Sequence, residues 1–344
     1  MPGILRLFLS LLVVFSHLSG AHSADHFGFY AVRSFFILSG IVLTKSLHET
    51  YAFDFHRFYA NRLLRIVPLY ALVCMITIMV IRLLPLQAGY FMPRWAFEQR
   101  ADAVLQNFIL LPLANGELQL RYIEPAWSLA VELVMYFFLW LGMARNIKIA
   151  AACFAVGAAY HVALLVQGAD FSERYFPIAA AIFSYSAGVM IHFHYDRLAK
   201  NTRLGATCAV LWFCNTVFGY LVWGEHVLDF GFYANMLLFG LAAPFMLEFR
   251  LSEKLRERDA LLGHLSYPVF LVQWLGGFAA FLLLENFEGR GVLLFYVALP
   301  LILIMAMLLH KANELMIEPL RKGLRAGPQF DSTGPNRALA EPAE

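Results

Sequence analysis

Arg6 and His17 lie eleven positions apart in the first apolar stretch of a 344-residue chain, a cation that can grip an anion and an imidazole that can move a proton. Eleven helical steps of about 100° return to within roughly 20° of the same face and rise about 16 Å. The two side chains therefore lie on one line along a helix, the guanidinium near its end and the imidazole deeper. Ionisable groups inside a membrane helix are expensive and mark function by default. This layout suits holding and attacking a long substrate, with His17 as a general base near neutral pH. A neutral histidine bonded to a neighbouring helix is the structural alternative. The expectation is a protein-lined channel, open to the cytoplasm, on which both residues face.

Arginines further along could border the same channel. Arg62 and Arg65 are three apart on one helix face, and Arg57 must reach in from the preceding loop. Guanidinium groups pair bidentately with phosphate, so this trio suits a polyphosphate ligand. Ordinary membrane topology with anionic lipid contact is the alternative. Ser128, Glu132 and Tyr136, spaced by four and preceded by Trp127, stack a hydroxyl, a carboxylate and a phenol on one face. A carboxylate in a membrane helix needs a partner, and an Arg or His⁺ from another span is the cheapest. Ser266 and Gln273 are two turns apart, with Tyr267 beside them; Ser39-Gly40 permits close helix approach, and Arg33 is a further intramembrane cation. Such groups either join helices or line a cavity.

The elements that must position these residues are membrane spans. The chain is 60% hydrophobic and 15% charged, with mean hydropathy +0.65, against about 25% charged residues in soluble domains. Apolar stretches of span length fall at about 4–20, 28–46, 67–84, 124–143, 149–167, 176–194, 204–222, 232–248, 263–284 and 292–310. The stretch 103–114 is too short and reads as re-entrant or interfacial. With the N-terminus inside, 18 Lys and Arg fall in inward loops and 5 in outward ones. That asymmetry predicts an all-α polytopic bundle of about ten transmembrane helices with both termini cytoplasmic. Residues 1–325 form the membrane domain, and 326–344, rich in Pro, Gly, Ala and Glu, reads as a disordered cytoplasmic tail.

Several classes are excluded. Net charge +2 offers no footprint for nucleic acid. Cys74, Cys153, Cys208 and Cys214 sit in apolar runs without metal-ligand spacing, and His192 and His194 point to opposite helix faces, so no metal is expected. No P-loop, GxSxG, HExxH or GxGxxG motif occurs. An enzyme and a transporter or flippase of a polar or anionic substrate explain the intramembrane Arg, His and Glu equally well.

Five elements in order resemble one family: Arg6 with His17; Phe35-Phe36 with Ser39-Gly40; Arg62 and Arg65 with Ile66, Pro68 and Tyr70; Trp127-Ser128-Leu129 with Glu132; and Leu262-Gly263 with Ser266-Tyr267. The chain resembles the acyltransferase-3 family of integral-membrane O-acyltransferases, which includes enzymes acetylating bacterial lipopolysaccharide O-antigen, exopolysaccharide and Nod factors. The resemblance implies transfer of an acyl group, acetyl first, from cytoplasmic acyl-CoA to a hydroxyl of a glycan or glycoconjugate, in a bacterial inner membrane. His17, Arg6 and Glu132 would be catalytic. Arg62, Arg65 and Arg57 would hold the CoA phosphates. Trp127, Ser128, Tyr136, Ser39, Ser266, Tyr267, Gln273 and Arg33 would line the site. This chain departs from the family where Gln273 stands near the place of a frequent histidine, and where Glu318-Pro319 shortens a Glu-x-Pro element. The acceptor's identity, the acyl length and the oligomeric state stay open.

Overall fold

A computed structural model describes residues 3–20, 24–96, 100–114, 121–249, 252–284 and 291–326; the expected tail from 327 onward lies outside the described residues. No strand occurs among the described residues, and ten apolar helices stand where the ten stretches fall. They are α1 Gly3–Leu18, α2 Asp25–Ser46, α3 Phe55–Leu83, α4 Ala126–Phe138, α5 Ile147–Val166, α6 Ile178–Phe193, α7 Thr202–Trp223, α8 Phe230–Glu248, α9 Glu253–Leu283 and α10 Val292–Met316. The molecule is a polytopic helical membrane bundle. Among the described residues, eight helices have the length and composition to cross a bilayer, α4 with its π-helical extension to Met143; α1 and α6 are shorter. Sixteen residues in each span about 24 Å, less than the ~30 Å hydrocarbon core. Both short helices are covered by neighbours over much of their surface.

The stretch 103–114 is not a span. Helix Ala101–Ile109 ends at Leu110, where a left-handed φ of 67° turns the chain into a 3-10 segment, Leu111–Ala114. Leu110 and Leu113 are fully buried, so the segment folds back onto the bundle.

Helix α1 and helix α9 run parallel in a fixed register. Gly3 with Asp259, Ser10 with Ser266, and His17 with Gln273 are hydrogen-bonded pairs, each 256 positions apart. The pairs recur every seven residues, the period that keeps two helices in continuous contact. Small side chains make the approach possible. A Cβ on Gly3 would stand 1.6 Å from the Asp259 carbonyl oxygen. A second close crossing joins α2 to α6, where a Cβ on Gly40 would meet the Tyr185 carbonyl oxygen at 2.4 Å and Gly188 Cα at 2.9 Å.

The α2–α3 connection is built to bring arginines inward. Helix α2 runs into a π-helical turn, Leu47–Tyr51, then left-handed Ala52 and Phe53 reverse the chain. Asp54 caps α3, accepting from the Arg57 backbone N–H at 3.0 Å. The reversal carries Arg62 back against α2, where its Nη2 donates to Ser46 Oγ at 3.3 Å.

Candidate active site

Two cavities follow one stripe of α1. The first, about 950 Å³ including its open mouth, holds Arg6, Ser10, Ser39, Arg62, Arg65, Glu132, Tyr136, Ser266 and Tyr267 among its lining. It lies toward the end of the bundle where α1 and α3 begin, the basic end. The second, about 970 Å³, is lined by Val13, Ser16, His17, Asp25, Arg94, Arg121, Glu124 and Trp127 among others. Val32 and Ser128 line both, so the two spaces are neighbours that share these side chains as a wall. Arg6, Ser10, Val13 and His17 recur at helical spacing, and α1 presents one face to both.

This arrangement corrects the expected single channel. His17 does not border the arginine cavity; it lies in a second space shared with Arg94, Arg121 and Glu124 from the connections at the opposite end. The reason is length, because eleven helical residues carry the imidazole about 16 Å from Arg6.

In the arginine cavity, the cations lack carboxylate partners. Arg6, Arg62 and Arg65 have no carboxylate within ion-pair distance among the described residues, and the buried Nε of Arg6 and of Arg62 has no acceptor there. Arg62 is 7% exposed and rests on the Phe58 ring, 5.5 Å from its centroid. Buried donors without acceptors are rare and point to a ligand. Glu132 is the one carboxylate in the cavity lining. It accepts from the Tyr136 hydroxyl, one turn along, and from Ser39 Oγ at 3.4 Å. The expected Arg or His⁺ partner is therefore replaced by two hydroxyls, which solvate the carboxylate.

In the histidine cavity, Gln273 orients His17. Gln273 Nε2 donates to the Phe270 carbonyl at 2.8 Å, one helical turn back. That bond aims Oε1 of the amide at His17 Nδ1, 2.8 Å away. A flipped amide would face oxygen to oxygen with Phe270. His17 Nδ1 therefore carries the proton, and Nε2 is the basic nitrogen. Trp274 lies beside the imidazole, ring centroids 5.5 Å apart. Arg121 is 4% exposed; burial lowers its pKa, Glu124 opposes the shift and Arg94 adds to it. Arg94 itself pairs with Glu124 at 2.9 Å.

The remaining expected residues divide. Ser128 stands at the junction, its Oγ donating to the Pro125 carbonyl at 2.9 Å, and Trp127 packs edge-on to Tyr175 and Phe176. Ser266 lines the arginine cavity, yet its hydroxyl is spent on Ser10 at 2.8 Å and the Arg6 carbonyl at 3.0 Å. Tyr267 donates to the Ile66 carbonyl at 2.8 Å, tying α9 to α3. Gln273 borders neither cavity and acts through His17. Arg57 lies apart, its Nε donating to the Leu324 carbonyl at 3.2 Å, because it falls in the first turn of α3 rather than in a loop. Arg33 is also apart. Fully buried, it donates to the carbonyls of Ala180, Arg174 and Tyr175, which fixes α2 against α6. Sequence reasoning passed over Ser10, one turn beyond Arg6 on the same stripe. It also missed Gly263 as the space for Arg6, since a Cβ there would stand 2.2 Å from Arg6 Nη2.

A helical membrane bundle with a cationic cavity beside a histidine cavity defines an integral-membrane protein with ionisable groups gathered inside it. The family model of the acyltransferase domain of the acyltransferase-3 family matches residues 3–311, and the chain belongs to that family. It is a membrane acyltransferase, and membership decides between acyl transfer and transport. No curated protein and no solved structure matches the chain.

Proposed function

We propose that the protein is an O-acyltransferase that takes an acyl group, acetyl first, from cytoplasmic acyl-CoA and delivers it to a hydroxyl of a glycan or glycoconjugate at the opposite face of a bacterial inner membrane. The observation that carries this reading is that the arginine cavity and the histidine cavity are neighbours along one face of α1, with Val32 and Ser128 in the walls of both. The arginine excess at the basic end suits the donor's phosphates. The stripe from Arg6 to His17, about 16 Å long, suits a pantetheine arm laid along α1, so the thioester reaches His17 without a separate carrier.

In the chemical step, His17 Nε2 takes the proton of the acceptor hydroxyl as its oxygen attacks the thioester carbonyl. The tetrahedral intermediate collapses, the C–S bond breaks, and the thiolate leaves with the proton returned from the imidazolium. Gln273 keeps Nδ1 protonated throughout, as an acceptor for the charged ring. Glu132 offsets part of the charge of the arginine cavity. No metal is needed for these steps, and an anionic donor accounts for the unpaired arginines.

The test uses proteoliposomes with radiolabelled acetyl-CoA supplied on the basic face and a glycan extract on the other. Wild-type protein should label the glycan, and His17→Ala should cut the rate at least ~10²-fold at equal protein level. Unchanged labelling by His17→Ala would overturn the assignment. Mass spectra of glycans from deletion and wild-type cells identify acceptor and acyl group together.

A further inference from the structure

The basic end holds a third cavity, about 670 Å³, which none of these chemical steps uses. Its lining includes Arg6, Arg65, His264, His310, Asn313 and Arg321. Arg6 and Arg65 also line the arginine cavity, so one pair of guanidinium groups stands between the two spaces. The far wall comes from the helix Glu318–Ala326, which α3 clamps in place. Asn61 Nδ2 donates to the Arg321 carbonyl and Arg57 Nε to the Leu324 carbonyl, both at 3.2 Å. Arg57 thus serves the cavity indirectly, by seating the helix that supplies Arg321. The Arg321 side chain is held inward, with the residue 8% exposed and Nη1 donating to Glu318 at 2.7 Å.

Charge and shape restrict the occupant. Three guanidinium groups face one carboxylate, Glu318. Leu69 and Pro268 are the aliphatic lining residues, too few for a groove that would hold acyl chains. The His264 and His310 rings lie parallel, 9° apart in plane with centroids at 5.3 Å. His264 is exposed at the edge of the bundle and offers a flat face for stacking. Two cationic spaces in series, divided by shared arginines, fit a ligand with two separated phosphate clusters better than a single phosphate.

We propose that this cavity binds the phosphorylated nucleotide end of the donor, with the phosphate remote from the diphosphate set against Arg321. The inference rests on the acyl-CoA reading and deepens it. The shared Arg6 and Arg65 then contact the diphosphate, and the rest of the donor continues through the arginine cavity toward His17.

The probe is adenosine 3′,5′-bisphosphate, titrated calorimetrically into the full-length protein in neutral detergent, with no acyl transfer involved. Wild-type protein should bind it, and Arg321→Gln should weaken binding about tenfold, as expected for loss of one charge-assisted phosphate contact. Glu318→Gln should tighten binding, because it removes the one carboxylate of the lining; a misfolded variant cannot give that sign. If both variants leave the affinity unchanged while acyl-CoA still binds, this site is overturned and the donor reading stands. If neither bisphosphate nor acyl-CoA binds, the donor reading itself fails. If phosphatidylglycerol in the micelle displaces the nucleotide at equal phosphate concentration, the cavity is a lipid headgroup site and the proposal is overturned.

Discussion

His17 and Gln273 show how one amide can set the chemistry of a ring. Free histidine protonates either nitrogen, and a base must present the correct one. Here the Phe270 carbonyl orients the amide, and the amide fixes the proton on Nδ1. Gln273→Leu removes the acceptor and should lower kcat about ten- to a hundredfold with a smaller change in donor KM. Gln273→Glu keeps an acceptor and should retain more activity than the leucine variant. The ¹⁵N spectrum of labelled histidine, with His17 assigned by its loss in His17→Gln, reports the tautomer directly. A wild-type spectrum with the proton on Nε2 would remove the argument. Arg33 is the opposite case, an intramembrane cation that donates to three carbonyls and to the Ser184 hydroxyl. Arg33→Leu should cost roughly 2–4 kcal/mol of stability, read as an earlier thermal unfolding in detergent, with donor KM unchanged in the folded fraction.

At the scale of elements, the seam between α1 and α9 determines where the reacting groups stand. Its seven-residue recurrence places Gly3, Ser10 and His17 against Asp259, Ser266 and Gln273 in one register. A slip of one residue would rotate His17 by about 100° and part it from Gln273. Gly263 is the tightest point of this seam after Gly3. Its Cβ would meet Arg6 Nη2 at 2.2 Å and Gly3 Cα at 2.8 Å. Gly263→Ala should therefore destabilise by about 1–3 kcal/mol and raise donor KM, because Arg6 must leave its place. Parallel thermal unfolding and donor titration separate the two effects. An unchanged KM would mean that Arg6 does not touch the donor.

At the scale of the whole molecule, charge is sorted along the bundle axis. Arg6, Arg62 and Arg65 form an excess at one end, while Arg94 and Glu124 pair at the other. Attraction of a polyanion by partly open cations is screened by salt, with a Debye length of about 10 Å at 0.1 M and about 3 Å at 1 M. Donor KM should rise severalfold over that range, with kcat little changed, measured in steady-state acyl-CoA turnover. A salt-independent KM would argue against phosphate recognition at the basic end.

The positions of the ten apolar helices, and the placement of Arg6 and His17 on one helix face, were legible because helical periodicity and hydropathy are local properties of the chain. So was the family, carried by motifs in order. Which residues meet was not local. Glu132 found hydroxyls instead of a cation, and Arg33 and Arg57 bound carbonyls away from the cavities. His17 took a separate chamber from Arg62 and Arg65. Sequence alone determined a membrane bundle and the residues able to do chemistry. Only tertiary packing decided how those residues divide between two neighbouring cavities, because that division depends on helix register and on close approaches at glycine between segments some 250 positions apart.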